Sequence, residues 1–313
     1  MKTFSARVED YLSLRRSLGC RLIGQAVLLR DFGRFLDRAM DGGTITTEVV
    51  IRWAQAPQSK DPDQTARRLG AVRGFLRYQA GFDGVTEVPP PGLLGCGIRR
   101  KPPHIYSCDE VQDLLRACGR LEPRGGLRPH TCRTLFSLLL ATGLRISEAL
   151  HLEDSDVDLE AGVLTVRDGK FGKTRLVPIH PTASPPLRRY VRHRDRVMPR
   201  GSAFFRWEGQ PRLAYFHVRT AFIKLRRRLG WTPDGRSRQP RIHDLRHTMA
   251  VSCLVRWYKE GISPDRRIAH LATYLGHVEV RDTYWYMSAV PELASIASER
   301  FARFATGAPE ERS

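Results

Sequence analysis

Four short segments hold residue types that together could bind and break a phosphodiester. In "TGLRISE", Arg145 follows a Thr-Gly-Leu turn and Glu148 stands three residues on. That is one helical turn, close enough for the carboxylate to hold the guanidinium in one pose. Taken alone, it is an ordinary local salt bridge. In "DGKFGKTRLVPI", Lys170 and Lys173 lie within four residues of each other. Only seven of the 52 basic residues are lysines (Lys2, Lys60, Lys101, Lys170, Lys173, Lys224 and Lys259), so the pair stands out in a chain that otherwise uses arginine. A lysine can be tuned to give up a proton, whereas arginine stays charged. In "RIHDLRHTMA", His243 and Arg246 are three apart and share a helix face. Both donate to oxygen, the arginine through a fork, which suits a phosphate. His247, four from His243, raises a metal pair, but the zinc-protease pattern needs Glu where Asp244 stands, and no third ligand is evident. In "LGHVEVRDTYWYMSAV", His277 follows Gly276 at once, and Tyr284 and Tyr286 flank Trp285. Most tyrosines are packing residues with a bonded hydroxyl, so a nucleophilic one must be singled out by its company.

The rest of the chain must place these side chains and bring them to a substrate. The 313 residues are 41% hydrophobic, enough to build a core, in one large domain or two ordinary ones. No run of about 18 apolar residues predicts a membrane span, and "MKTFSARVEDYLSLRRSLG" lacks the apolar stretch of a signal peptide. A cytoplasmic protein is expected, with no membrane partner. The net charge is +19, and it recurs in "ARRLGAVRGFLR", "CGIRRK", "RRYVRHRDR" and "KLRRRLG" rather than in a tail. Basic residues spread through folded-looking segments point to a polyanion, most often nucleic acid. Six cysteines without a CxxC pair read as reduced structural thiols.

Apolar periodicity predicts four helices within residues 1–85, marked by Phe4, Val8, Tyr11 and Leu12, then Leu28, Phe32, Phe35 and Leu36, then Val49, Val50 and Trp53, then Leu69, Val72, Phe75 and Leu76. The proline- and glycine-rich stretch 87–107 excludes regular structure and is the best domain boundary. Beyond it the pattern is mainly helical. "TCRTLFSLLLATG" reads as a buried helix stopped by Gly143, and residues 162–179 read as two or three short antiparallel strands. Three more helices are predicted from "YFHVRTAFIKLRRRLG", "HDLRHTMAVSCLVRWY" and "SPDRRIAHLATYLG", and a last amphipathic helix over 290–305.

In this order the segments resemble the tyrosine recombinases, also called phage-type integrases. "TGLRISE" matches the family's first box through Arg145, Lys170 falls where the hairpin lysine does, "HDLRH" matches the His-x-x-Arg box through His243 and Arg246, and "LGH" matches through His277. The nucleophile usually stands nine residues after that histidine, which is Tyr286, with Tyr284 as the alternative. The resemblance covers nearly the whole chain. It implies a mainly α fold with a small antiparallel β-sheet: a helical core-binding, DNA-binding domain over 1–86, a linker over 87–107, a catalytic domain over 108–289, and a C-terminal helix and tail over 290–313, exchanged between subunits. The ending "DTYWYMSAVPEL" is similar to transposon-associated recombinases, including the recombinase-in-trio group.

The implied activity is site-specific recombination of double-stranded DNA by a homo-tetramer, or by an assembly with related recombinases, through a 3′-phosphotyrosyl intermediate and without metal or cofactor. Tyr286 would attack, Arg145, Arg246 and His277 would hold the phosphate oxygens, Lys170 would protonate the leaving 5′-oxygen, and His243 would take the tyrosine proton or steady the phosphorane. Arg67, Arg68, Arg73, Arg77, Arg99, Arg100, Lys173, Arg175 and Arg241 are expected to touch DNA. The residues alone also leave open a type IB topoisomerase-like relaxing enzyme and a non-catalytic architectural DNA-binding protein.

Overall fold

A computed structural model describes residues 2–20, 22–40, 42–56, 62–95, 102–167, 174–198, 201–231 and 239–288. The chain divides into two compact units, Met1–Arg100 and Lys101–Ser313. Arg99, Arg100, Lys170, Lys173 and the helix expected over 290–305 lie outside the described residues. No helix among the described residues is long and apolar enough to cross a membrane.

The first unit contains α1 (Phe4–Ser17), α2 (Ile23–Ala39), α3 (Thr47–Gln55) and α4 (Pro62–Asp83). The predicted apolar stripes supply its core, with Phe4, Val8, Tyr11 and Leu12 of α1 buried against Phe32, Leu36, Val50, Trp53, Phe75 and Leu76. The ends of α1 and α3 are set locally. Thr3 Oγ1 accepts from the Ala6 N–H and Thr46 Oγ1 from the Val49 N–H, each satisfying a donor that a helix start leaves unpaired. Asp37 of α2 also accepts from the Phe4 and Ser5 N–H groups, at 2.6 and 3.1 Å, and so joins the two helices.

One arginine in α4 corrects the sequence reading. Arg68, expected at DNA, is buried. Its guanidinium lies 3.9 Å from the centre of the Trp53 ring and donates to Asp31 Oδ2 at 3.0 Å and to the Trp53 carbonyl at 3.2 Å. A phosphate cannot reach a group so enclosed. Arg73 is half-buried and donates to the Pro89 carbonyl at 2.8 Å, which ties the segment after α4 to the bundle. Arg67 and Arg77 are exposed.

The second unit begins with α5 (Cys108–Cys118), opened by a capping box between Ser107 and Glu110. The buried α6 (Leu127–Thr142) follows, then α7 (Ile146–His151) and strands β1 (Val157–Asp158), β2 (Val163–Val166) and β3 (Arg175–Pro178). The strands form an antiparallel sheet in the order β1-β2-β3, with Val166 opposite Arg175. Leu164, Val166 and Val177 turn into the core while Leu176 faces out, the alternation expected of a sheet with one wet face. Then come α8 (Ser184–Val197), α9 (Tyr215–Arg228), α10 (Ile242–Lys259), α11 (Pro264–Leu275) and α12 (Arg281–Ser288). α10 to α12 share a smaller core of Val251, Leu254, Trp257, Leu271, Leu275 and Tyr286.

The basic run in α8 is not all surface. Arg194 is buried, forked onto Asp154 at 2.6 and 2.9 Å, and donates to the Phe204 carbonyl at 2.7 Å. Sequence composition counts it as a surface charge, but it is a structural cross-link.

Arg68→Ala should destabilise the first unit by about 1–3 kcal/mol, because it strips the partner from Asp31 and from a buried carbonyl. Urea unfolding of the full chain measures this. The slope of DNA affinity against salt should stay unchanged, whereas loss of a phosphate contact would lower it by about one.

Candidate active site

Two glycine-terminated helices build the frame. α6 ends at Gly143 and α11 at Gly276, with φ of +63° and +68°. This left-handed region favours glycine, and space is tight as well. A Cβ on Gly143 would stand 2.7 Å from Leu275 Cδ2, and one on Gly276 would stand 2.8 Å from the Arg175 guanidinium. The two helix ends therefore meet closely, and both aim backbone carbonyls at one place.

Three arginines fill that place. Arg246, on α10 and fully buried, donates to the Gly143 and Leu275 carbonyls, both at 2.7 Å. Arg145, at the start of α7, donates to the Gly276 carbonyl at 3.0 Å and to Glu148 Oε1 at 2.8 Å. Arg175, the first residue of β3, donates to the Tyr274 carbonyl at 3.2 Å and forks onto Glu148 at 2.8 and 3.0 Å. The carbonyl end of a helix carries partial negative charge, which suits cations. Burial alone would raise the Glu148 pKa, but bonds from Arg175 and Arg145 outweigh it and hold the carboxyl down at about 2. Burial, with the neighbouring Arg145, lowers Arg246 to about 10. Each of Arg145 and Arg246 carries five N–H donors, and these bonds leave some of them to face an anion.

Two histidines beside the arginines, His243 and His277, are held well below the ordinary imidazole range. Burial, then Arg246, pushes both His243 and His277 down to about 4. His277 Nδ1 lies 2.7 Å from the hydroxyl of buried Thr283. His243 packs its ring edge against His247, with centres 4.7 Å apart.

α12 separates the two tyrosines. Residues two apart on a helix do not share a face. Tyr284 is 43% exposed and its hydroxyl donates to Asp265 at 3.3 Å. Tyr286 is 2% exposed, and its ring lies nearly parallel to that of His277 with centres 6.2 Å apart. Its hydroxyl is 3.2 Å from His247 Nδ1. Burial raises its pKa, while the adjacent Arg246 and then Arg145 pull it down.

Five of the six residues predicted for chemistry thus stand in one cluster: Arg145, His243, Arg246, His277 and Tyr286. Lys170 belongs to the segment between β2 and β3, outside the described residues. Arg175 is a correction. It was expected at DNA, but both arms of its fork are taken by Glu148, so it buttresses the site instead. Arg241, half-exposed, is likewise forked onto Asp244 at 2.7 and 3.3 Å. Sequence reasoning missed the contact of His247 with Tyr286 and the support Thr283 gives His277. The only signal was spacing: His247 falls one residue after Arg246, and Thr283 one helical turn before Tyr286. Among the described residues no group of three or more His, Cys, Asp or Glu is arranged to hold a metal.

A buried tyrosine set against forked arginines and neutral histidines, on a helical frame with a three-stranded sheet, defines a protein that handles a phosphodiester. Residues 106–292 match the model of the phage integrase family, and the chain belongs to that family. Over 97% of its length it is 41% identical to a Sinorhizobium fredii protein named as an integrase/recombinase, y4rB, covering 98% of that protein. Over 76% of its length it is 31% identical to the tyrosine recombinase XerD of Caulobacter vibrioides, covering 75% of that protein. The fold matches a λ integrase tetramer bound to a Holliday junction, with a TM-score of 0.65 at 17% identity over 89% of this chain and 78% of that one.

The depressed Glu148 pKa sets a pH dependence of stability. A carboxyl held at about 2 against an ordinary 4.5 stabilises the fold above pH 4.5, and that stabilisation is lost as pH falls toward 2. The linkage is on the order of 3 kcal/mol. Urea midpoints of wild type should fall across this window, and those of Glu148→Gln should be lower at pH 7 and flatter below pH 4.5.

Proposed function

We propose that the chain cuts and rejoins double-stranded DNA at specific sites through a transient covalent link between Tyr286 and the scissile phosphate. The observation that carries this reading is the burial of the Tyr286 hydroxyl beside Arg246, in a site where the Glu148 carboxylate is held ionised by two arginines. A covalent intermediate conserves the phosphodiester's energy without a nucleotide cofactor. Tyr286 attacks phosphorus and the bond to the 5′-oxygen breaks, leaving a 3′-phosphotyrosyl link, the polarity implied by the family.

The transition state gathers charge on the non-bridging oxygens. The remaining donors of Arg145 and Arg246 meet it, with His243 and His277 as further donors. Fixed donors of this kind are typically worth about 3–4 kcal/mol each. The backbone carbonyls that hold both arginines prevent them from turning away, so little reorganisation is needed when charge develops. Lys170 protonates the leaving oxygen, a contribution of about 10²–10⁴ in rate. A second strand's 5′-hydroxyl then attacks the phosphotyrosine and restores the backbone.

The net charge of +19 supports DNA as the partner. In this reading residues 1–86 and 108–289 contact DNA from the two sides of the 87–107 linker. Exposed Arg67 and Arg77 supply phosphate contacts. Four copies assemble on two duplexes, as λ integrase does on its junction, with 290–313 passing between neighbours. The likeness to y4rB and to XerD supports recombination over relaxation by a monomer.

Trapping on nicked suicide duplexes in EDTA, with the ends of the encoding element as targets, tests the proposal. Wild type and Tyr284→Phe should form a covalent adduct that mass spectrometry places on Tyr286. Tyr286→Phe should bind the same DNA with unchanged Kd and form none. An adduct on Tyr284 would move the nucleophile, and relaxation without any strand joining would overturn recombination.

A further inference from the structure

Between α6 and α8 lies a cavity of about 840 Å³, and none of the residues lining it belongs to the arginine and tyrosine cluster. One wall is a stripe of α6 through His130, Arg133, Ser137 and Ala141. The other is a stripe of α8 through Arg189, Arg192 and Arg196. Spacings of three and four keep each series on one helix face. The α6 stripe runs for about 16 Å, so the cavity is a trough rather than a point. Leu115 of α5, Leu138 and Leu187 give it an apolar floor.

Charge in the trough is one-sided, since no Asp or Glu lines it. The arginines that α8 turns elsewhere do find acids. Arg188 pairs with Glu160 at 3.3 Å, and Arg194 with Asp154 at 2.6 Å and Asp195 at 2.7 Å. Among the described residues, Arg133, Arg189, Arg192 and Arg196 have no acidic partner. The rings of His130 and His193 also meet in the trough, with centres 4.2 Å apart. His193 Nε2 is buried and has no hydrogen-bond partner among the described residues. A buried polar atom left in that state costs free energy that a ligand's polar group would recover. Burial, then His193 and Arg133, lowers the His130 pKa, as expected where negative charge is lacking.

We propose that this trough is a docking site for a partner protein and takes an acidic amphipathic helix. Its apolar side chains fill the leucine floor, and its carboxylates lie along the arginine rim and reach the histidine pair. Laying a helix into a groove by its apolar face is a common mode of recognition. The spacing of the cations favours this occupant over others. A small anion is held by polar groups that converge on it, whereas these arginines are strung out a helical turn apart. A DNA backbone has charges in a line, but its polar surface leaves an apolar floor unfilled. The chain's own end is a poor match in charge, because residues 289–313 carry Glu292, Glu299, Glu310 and Glu311 against Arg300, Arg303 and Arg312. The site is separate from Tyr286, so the inference stands apart from the covalent mechanism.

The test titrates the full chain against a fluorescein-labelled synthetic helix of about four turns, with leucines on one face and glutamates on the other, read by fluorescence anisotropy. The peptide should bind. The double variant Arg189→Glu/Arg192→Glu should weaken it about tenfold or more. Ser137→Trp, which fills the trough without changing its charge, should do the same. A scrambled peptide of equal composition, lacking the apolar face, should bind about tenfold more weakly than the helix. Both protein variants should keep wild-type far-UV circular dichroism and bind the suicide duplexes with a Kd within about threefold of wild type. A benzophenone attached to Ser137→Cys should label the peptide. No binding, equal binding of the scrambled peptide, or unchanged affinity in both variants would overturn the proposal. Loss of duplex binding in the charge-reversed variant would give the face to DNA instead, and benzophenone labelling of residues 289–313 would give it to the chain's own end.

Discussion

Three guanidinia packed within one site would repel each other, and the site exists because backbone carbonyls and one carboxylate hold them there. Tyr274, Leu275 and Gly276, at the end of α11, and Gly143, at the end of α6, point their carbonyls at Arg175, Arg246 and Arg145. Glu148 bridges Arg145 and Arg175 from the other side. The two glycines are what let the helix ends turn and meet. Without that corner, α6, α7, β3, α10 and α11 would have no common contact, and the cationic face would have no fixed shape.

This arrangement also sets the protonation states. The arginine cluster disfavours further positive charge, so burial and the arginines together lower the pKa of His243 and His277 despite the nearby Asp244 and Asp282. They remain hydrogen-bonding groups whose roles follow from their tautomers rather than from added charge. The same field acts in the opposite sense on Tyr286. Burial makes its ionisation harder, and Arg246 and Arg145 make it easier.

Much of this was legible in the chain. The apolar periodicity located the four helices of the first unit, and the glycine-punctuated alternation located β2 and β3. Spacing alone grouped His243 with Arg246, while only the resemblance to a known family favoured Tyr286 over Tyr284. The arginines were misread where composition was used as a guide to exposure. Arg68 and Arg194 belong to basic runs and Arg175 to the lysine-bearing hairpin, but each has carboxylate partners from elsewhere in the sequence: Asp31, Asp154 and Glu148, 37, 40 and 27 residues away. A run of like charges says nothing of which member finds a distant acid.

What the order of residues could establish was local: which segments turn as helices, where glycine must end them, and which polar side chains share a face. Those follow from short-range sterics and periodicity, which act within a few residues. The choice between two tyrosines, the conversion of a DNA-facing arginine into a buttress, and the contact of His247 with Tyr286 depended on burial and on partners from distant segments. Tyr284 and Tyr286 have the same side chain and nearly the same neighbours in sequence. Packing of α12 against α10 and α11 put one in the arginine cluster and left the other in water, because a turn of about 200° separates them on the helix.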